Sequence, residues 1–569
     1  MSAVKNSTDI EVPPQEVKKT IALVQILRLG DIIQTVQMAQ GLRYVHGEKY
    51  RLLLIARKQF ATPLKKIIDS VFDECITVDL NDLTLSSQTT NLENTLTNIE
   101  ALRSKINLNN IEVCINLSYS KSANYLMSLI NAQHKIGPHY DTNANIVIND
   151  KWSQYLYANV LETNQNPYSL VDLFNFIVGV DLTSTTKNKV KNSVKKKLII
   201  HPFASDPKKK WSESKWVEII FKFLKDNTDK AVHIVGAKSD LECCDKIIKN
   251  PLLKDYLDRI HVDCAKLSIN ELKESMDSDT CFIGHDSMVS HLASLQQIPI
   301  ITVSIGPVRP HETTPYIEGV YNLSPQTKCF PCKPDTKCDF YQCHADIPFQ
   351  TINEVLNLVA NGKEVTEEAL KEKLSHFHLN SINIRKSEFN ESGVYILKSI
   401  TKDESNYLDT TASFYRLAWA YLFNGIEVKQ DLPIISDKTH QQIMTDMKGL
   451  HQFYELCEFG KKYSRYILEE ISSKTPDIQK IKSFSNKVDE VDKLSDLIAQ
   501  TYPQLTPVTN FAKISKANLH GDNLVKLTES SFYAFNDLSN LCSIIYDLCE
   551  KTLTSKQKEK TNLSTINPR

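Results

Sequence analysis

The sequence predicts an α/β protein of two lobes facing a cleft, followed by a mostly α-helical C-terminal region, and three observations predict it. Short apolar, β-branched runs alternate with amphipathic helical stretches. A Lys/Asn/Ser-rich segment interrupts this series once, after which it starts again. Beyond about residue 361 such runs stop and long helical patterns take over. Strands alternating with helices imply parallel sheets built from βαβ units, with a site at the C-terminal ends of the strands.

Residues 1–17 are polar and proline-bearing, lack the apolar core of a signal peptide, and read as a tail. The first lobe, 18–184, carries TIALVQI, RLLLIA, CITVD, EVCINL and HKIG as strands. Residues 185–197, closing on NKVKNSVKKK, show no apolar periodicity and read as a linker. The second lobe, 198–361, opens on KLIIH and continues with AVHIVG, RIHV, TCFIG and PIITVSIG. Between its first two strands Trp216, Ile219, Ile220, Phe223 and Leu224 have the spacing of a core-facing helix. Residues 362–569 hold long helical patterns such as ASFYRLAWAYLF, whose Phe414, Tyr415, Trp419, Tyr421 and Phe423 read as core rather than a ligand box.

Composition narrows the function. At 41% hydrophobic and 24% charged residues the chain is globular, and a formal net charge of −1 leaves no electrostatic footprint for nucleic acid. No apolar run approaches the length of a membrane span. Thirteen cysteines without a secretion signal point to the reducing cytoplasm, with free thiols or metal ligands. Only 15 of 569 residues are glycine, and neither a G-x-G-x-x-G nor a P-loop pattern occurs. A nucleotide must therefore be held by other means.

Four constellations stand at predicted strand ends. Arg28-Leu29-Gly30-Asp31 precedes a helix that Asp31 would cap. His201 to Trp211 (HPFASDPKKKW) puts three lysines in a loop, either a solvated run or point charges for phosphate. Gly236 to Asp240 reads as a βα turn whose carboxylate could reach ribose hydroxyls. Gly284 to Ala293 (GHDSMVSHLA) opens a helix whose free N–H groups form an anion site. Asp286 stands just ahead of that site and His291 one turn inside it.

In their order, RLGD, ASDPKKKW and DSMVSHLA resemble the heptosyltransferase-type glycosyltransferases of family 9, over about residues 18–360. The resemblance implies a GT-B fold of two Rossmann-like lobes, 18–184 taking the acceptor and 198–361 the donor. It implies that Asp31 is the base for the acceptor hydroxyl, and that Lys209 faces the diphosphate of a nucleotide-sugar, with Ser205 donating to the same oxygens. Asp286 would contact the donor sugar. Ser287, the backbone N–H of Met288, and His291 would hold the diphosphate, with Asp240 on the ribose. Met288 replaces the family's glycine, a departure that bears on how closely the backbone approaches phosphate.

Cys329, Cys332, Cys338 and Cys343 place four thiols within fifteen residues, the finger 329–343. Four thiolates suit tetrahedral zinc or iron. Such a set leaves no open position, so the metal is structural and no catalytic metal is expected. Unligated thiols, redox chemistry and disulfides stay open. The finger also resembles the branch of the family that transfers heptose to autotransporter proteins, which implies iron. The reading is a cytoplasmic, bacterial-type inverting glycosyltransferase, moving heptose or a similar sugar from an ADP-heptose-like donor to a protein hydroxyl. The alternatives are a lipopolysaccharide inner-core acceptor and a non-catalytic binding or scaffold protein. Homo-oligomerisation is left open.

Overall fold

The computed structural model describes residues 18–83, 92–160, 165–333, 335–401, 404–426 and 432–566, without the side chains of 82 and 556–566. The polar tail read over 1–17 lies outside the described residues. β1 (Lys19–Gln25), β2 (Tyr50–Arg57), β3 (Glu74–Val78), β4 (Ile111–Asn116) and β5 (Ala132–Ile136) form a parallel sheet in the order β3-β2-β1-β4-β5. Central β1 is covered on both faces, with Ala22, Leu23 and Val24 fully buried. That is why it reads as a continuous apolar run rather than an alternation. A small antiparallel hairpin, β6 (His139–Tyr140) and β7 (Ile146–Val147), follows.

The second sheet begins with β8 (Lys197–His201), β9 (Ala231–Ile234), β10 (Ile260–Val262), β11 (Thr280–His285) and β12 (Ile300–Val303), as the sequence predicts. β13 (Tyr321–Pro325) joins in parallel beside β12, giving the order β10-β9-β8-β11-β12-β13. The helix Glu213–Asp226 buries Trp216, Ile219, Ile220, Phe223 and Leu224 together.

The sheet does not stop at residue 361. β14 (Ile382–Phe389) and β15 (Tyr395–Ser399) extend it, each antiparallel to its neighbour, so the C-terminal region starts as part of the second lobe. INIRKSEF hides this strand because its buried Arg385 is polar. The guanidinium is accepted by Ser324 Oγ at 2.8 Å and by both oxygens of Asp409. Nor do residues 185–197 cross open solvent. Val190 is buried and donates its N–H to Glu318 O, while Lys195 N donates to Ala360 O and its ammonium to Ser278 O.

The long helices Tyr407–Asn424, Asp437–Ile471, Ile478–Thr501, Thr506–Ala517 and Leu524–Ile566 form the C-terminal bundle. Trp419 is fully buried between Tyr155 and Phe511, and Phe414 and Tyr415 are buried beside it. Tyr421, read as core, instead faces solvent at 53% exposure because it lies on the far side of the same helix. The bundle is fastened to the first lobe where Trp152 Nε1 donates to Asn424 Oδ1 at 2.9 Å and Tyr168 OH to Arg416 O at 2.6 Å. One apolar core runs from Leu23 and Ile33 through Val289 and Leu292 to Trp419 and Phe453. Among the described residues no helix is long and apolar enough to cross a membrane.

Candidate functional site

At the ends of β8, β11 and β12 lies a cavity of about 580 Å³ lined by Arg28, Ser205, Lys209, Asp286, Arg309 and Glu312, among others. Lys209 Nζ meets Asp286 Oδ2 at 3.2 Å, with 24% and 13% of the side chains exposed. The loop bearing Lys209 is held by its neighbours. Trp211 N donates to His285 Nε2 at 3.0 Å, and the buried Trp211 indole donates to His344 O at 2.9 Å. His285 in turn donates from Nδ1 to Val303 O at 3.1 Å. Burial presses its pKa down to about 4, so this bridge is a neutral imidazole. Of the three lysines, Lys210 turns to Glu213 and Cys243, and Lys208 Nζ donates to Thr336 O. Only Lys209 reaches the cavity.

Asp31 sits in the first turn of the helix Leu29–His46, and its Oδ2 accepts from Arg28 N at 3.0 Å, the capping geometry. Capping uses one oxygen and leaves the carboxyl other work. Burial raises its pKa above the usual carboxylate range, the Arg28 contact and charge oppose, and Asp286 pushes upward again. Asp31 itself is not among the residues that line the cavity, where Asp286 stands. The two lobes approach closely here: a β-carbon on Gly30 would stand 3.4 Å from His291 Cδ2. His291 is 4% exposed, and its Nδ1 has no hydrogen-bond partner among the described residues.

The remaining predicted residues stand at differing removes. Ser287 holds the N-cap position of the helix Met288–Leu295 without a side-chain capping bond, and its Oγ instead lies 3.1 Å from His201 Nδ1. Met288 packs its side chain against the main apolar core and does not line the cavity. Asp240 Oδ2 accepts from Ala237 N at 2.8 Å within the turn after β9, outside the cavity lining. Sequence reasoning quoted Arg28 only within its motif and missed Arg309 and Glu312. Arg309 Nη1 donates to Glu312 Oε1 at 3.0 Å and to Val160 O at 2.6 Å. The available signal was SIGPVRP, another loop at a strand end.

The cysteine finger packs against the lysine loop: His344 Nε2 lies 2.9 Å from Lys208 O, and Cys332 N donates to Gly306 O at 3.1 Å. Burial, then the charges of neighbouring thiols, raise the pKa of Cys332 and of Cys343. The four thiols are therefore neighbours. Yet among the described residues no three His, Cys, Asp or Glu side chains are disposed to hold one ion. As folded here the finger does not converge on a metal position.

Residues 99–340 match the family model described as Glycosyltransferase family 9 (heptosyltransferase). The match takes in Ser205, Lys209, Asp286 and His291 and begins after Asp31. No curated protein sequence matches the chain. Similar solved structures include E. coli heptosyltransferase WaaC with ADP, 14% identical at TM-score 0.40 over 52% of this chain and 91% of that one. E. coli ADP-heptose lps heptosyltransferase II is 14% identical at TM-score 0.43 over 63% and 100%. The iron-containing dodecameric glycosyltransferase TibC from enterotoxigenic E. coli H10407 is 14% identical at 0.35 over 60% and 76%.

Proposed function

We propose that this chain, which carries a glycosyltransferase family 9 (heptosyltransferase) domain over residues 99–340, transfers heptose with inversion from an ADP-heptose-like donor to a protein hydroxyl. The observation that carries the reading is the cavity at the strand ends, where Lys209, Arg28 and Arg309 supply cations beside Ser205 and Asp286. Cations fixed in a partly buried cleft oppose the charge that grows on a leaving diphosphate, which is commonly the largest catalytic contribution. As base we assign Asp31, which lies outside the cavity lining but next to Gly30 where the two lobes approach, a carboxyl whose burial favours proton uptake.

In this mechanism the acceptor oxygen attacks the anomeric carbon as the bond from that carbon to the diphosphate breaks. The hydroxyl proton passes to Asp31, and ADP leaves with the bonding pair, its charge met by Lys209. Asp286 exchanges its ion pair with Lys209 for contacts to the sugar. A cytoplasmic location is supported by the chain's free cysteines. For the finger we propose a structural iron or zinc ion, on the donor chemistry of its four thiols alone; binding would draw them together from where they stand.

The test is intact-mass analysis of surface proteins co-expressed with the chain and with its Asp31→Ala variant. Heptose-sized mass increases that vanish in the variant support the reading. Modified lipopolysaccharide with unmodified protein refutes the protein acceptor.

A further inference from the structure

A second cleft, of about 650 Å³, opens between the cysteine finger, β14 and the first helices of the C-terminal bundle. It adjoins the donor cavity, because Arg309 lines both. Arg309 and Glu312 form the partition, Glu312 on the donor side. Most of the cleft's other walls come from residues outside the donor cavity, and its far wall lies beyond the family match.

The charge of this cleft is one-sided. Among the described residues its one lining carboxylate, Asp409, is held by Arg385 at 3.0 and 2.9 Å and has His311 at 3.7 Å. The exposed Lys328, Lys333 and Lys438 have no carboxylate partner among the described residues. On a chain of net charge −1 this is a local excess of positive charge. Of the side-chain amides along the walls, Asn406 is spent on capping the helix Tyr407–Asn424 and Gln326 donates to Ile382 O, while Gln504 Oε1 has no hydrogen-bond partner among the described residues and is an acceptor open to a peptide N–H. A saccharide would call for an open aromatic face to stack on. Of the lining aromatics Phe330 is buried and Tyr407 is half-buried, so little ring face is open to one.

We infer that this cleft holds the acceptor as an extended, acidic polypeptide segment, whose hydroxyl passes Arg309 to reach the donor cavity. The inference rests on the transferase reading above and names its substrate class. It assigns the bundle and the finger a shared task, recognition of the chain to be modified.

The test is fluorescence anisotropy of a fluorescein-labelled peptide of Asp-Ser-Gly repeats with the full chain. Its Lys-Ser-Gly counterpart and polygalacturonate oligomers serve as competitors, and ADP affinity is measured in parallel. The acidic peptide is expected to bind, both competitors to displace it poorly, and the Lys328→Glu, Lys438→Glu double variant to weaken it about tenfold or more. ADP affinity in the double variant should match that of the wild type. The inference is overturned if a wild type that binds ADP ignores the acidic peptide, if the double variant binds it as well as the wild type, or if polygalacturonate displaces it readily. Failure of the wild type to bind ADP would instead strike the donor reading on which the inference rests.

Discussion

Lys209 Nζ stands 3.2 Å from Asp286 Oδ2 in a cleft where both side chains are mostly buried, so the cation available to a diphosphate is already neutralised by a neighbouring carboxylate. Donor binding has to exchange one anion for another. Asp286→Asn should therefore tighten ADP while slowing transfer, and Lys209→Ala should lower kcat/KM by about 10²–10³. Calorimetry with ADP and steady-state kinetics check both; weaker ADP binding in Asp286→Asn would refute the exchange.

Asp31→Asn keeps a side-chain oxygen for Arg28 N, so the helix cap survives while the base is lost. Turnover should drop by roughly 10²–10⁴ with ADP affinity nearly unchanged. Because the folded pKa is raised, wild-type turnover should climb with pH through a midpoint above the ordinary carboxylate range. A wild-type profile that the variant reproduces would exclude Asp31 as the base.

Gly306 has φ +62°, and a β-carbon there would lie 2.2 Å from Lys208 O. Gly306→Ala should cost about 2 kcal/mol or more, because the left-handed backbone and the clash with a carbonyl act together. Denaturant unfolding measures the loss. A second readout is weaker ADP binding, since the displaced loop carries Lys209.

His285, with a folded pKa near 4 against 6.5 for the free side chain, sets an acid limit. Below 6.5 the unfolded chain takes up a proton that the folded one refuses. Stability should therefore fall by about 1.4 kcal/mol per pH unit for this residue until its folded pKa is reached. His201, pressed by burial to about 3, adds to the slope over the same window. Thermal melts between pH 7 and pH 4 report it, and a flat Tm would contradict the buried neutral assignment.

A structural ion in the finger predicts close to one iron or zinc per chain by elemental analysis after purification without chelator. The Cys329→Ser, Cys332→Ser double variant should lose it. Equal metal content in the two proteins would remove the proposal.

Ten predicted strands appear in the two sheets because each is a short apolar run closed by polar or small residues, a signal independent of partners. β13, β14 and β15 escaped notice because their burial depends on pairing. Asn322 in β13 donates to Thr302 and Ser304, and Arg385 in β14 is tolerated only with Asp409 beneath it. Lys209 and Asp286 were legible as motif residues, though their direct pairing was not, since 77 positions separate them. Arg309 and Glu312 carried no motif. They gain meaning only where β12 delivers them to the rim that Arg28 reaches from the other lobe.

The bundle is fastened to the first lobe through Trp152 and Tyr168, and to the second through the Arg385–Asp409 pair. Two-lobed enzymes commonly admit and release ligands by a hinge rotation of one half against the other. Here a third body is fastened to both lobes like a splint. A wide swing would tear the buried ion pair or the shared core, so ligand exchange must proceed by small rotations and loop movement, and turnover should be sensitive to solvent viscosity chiefly through those loops.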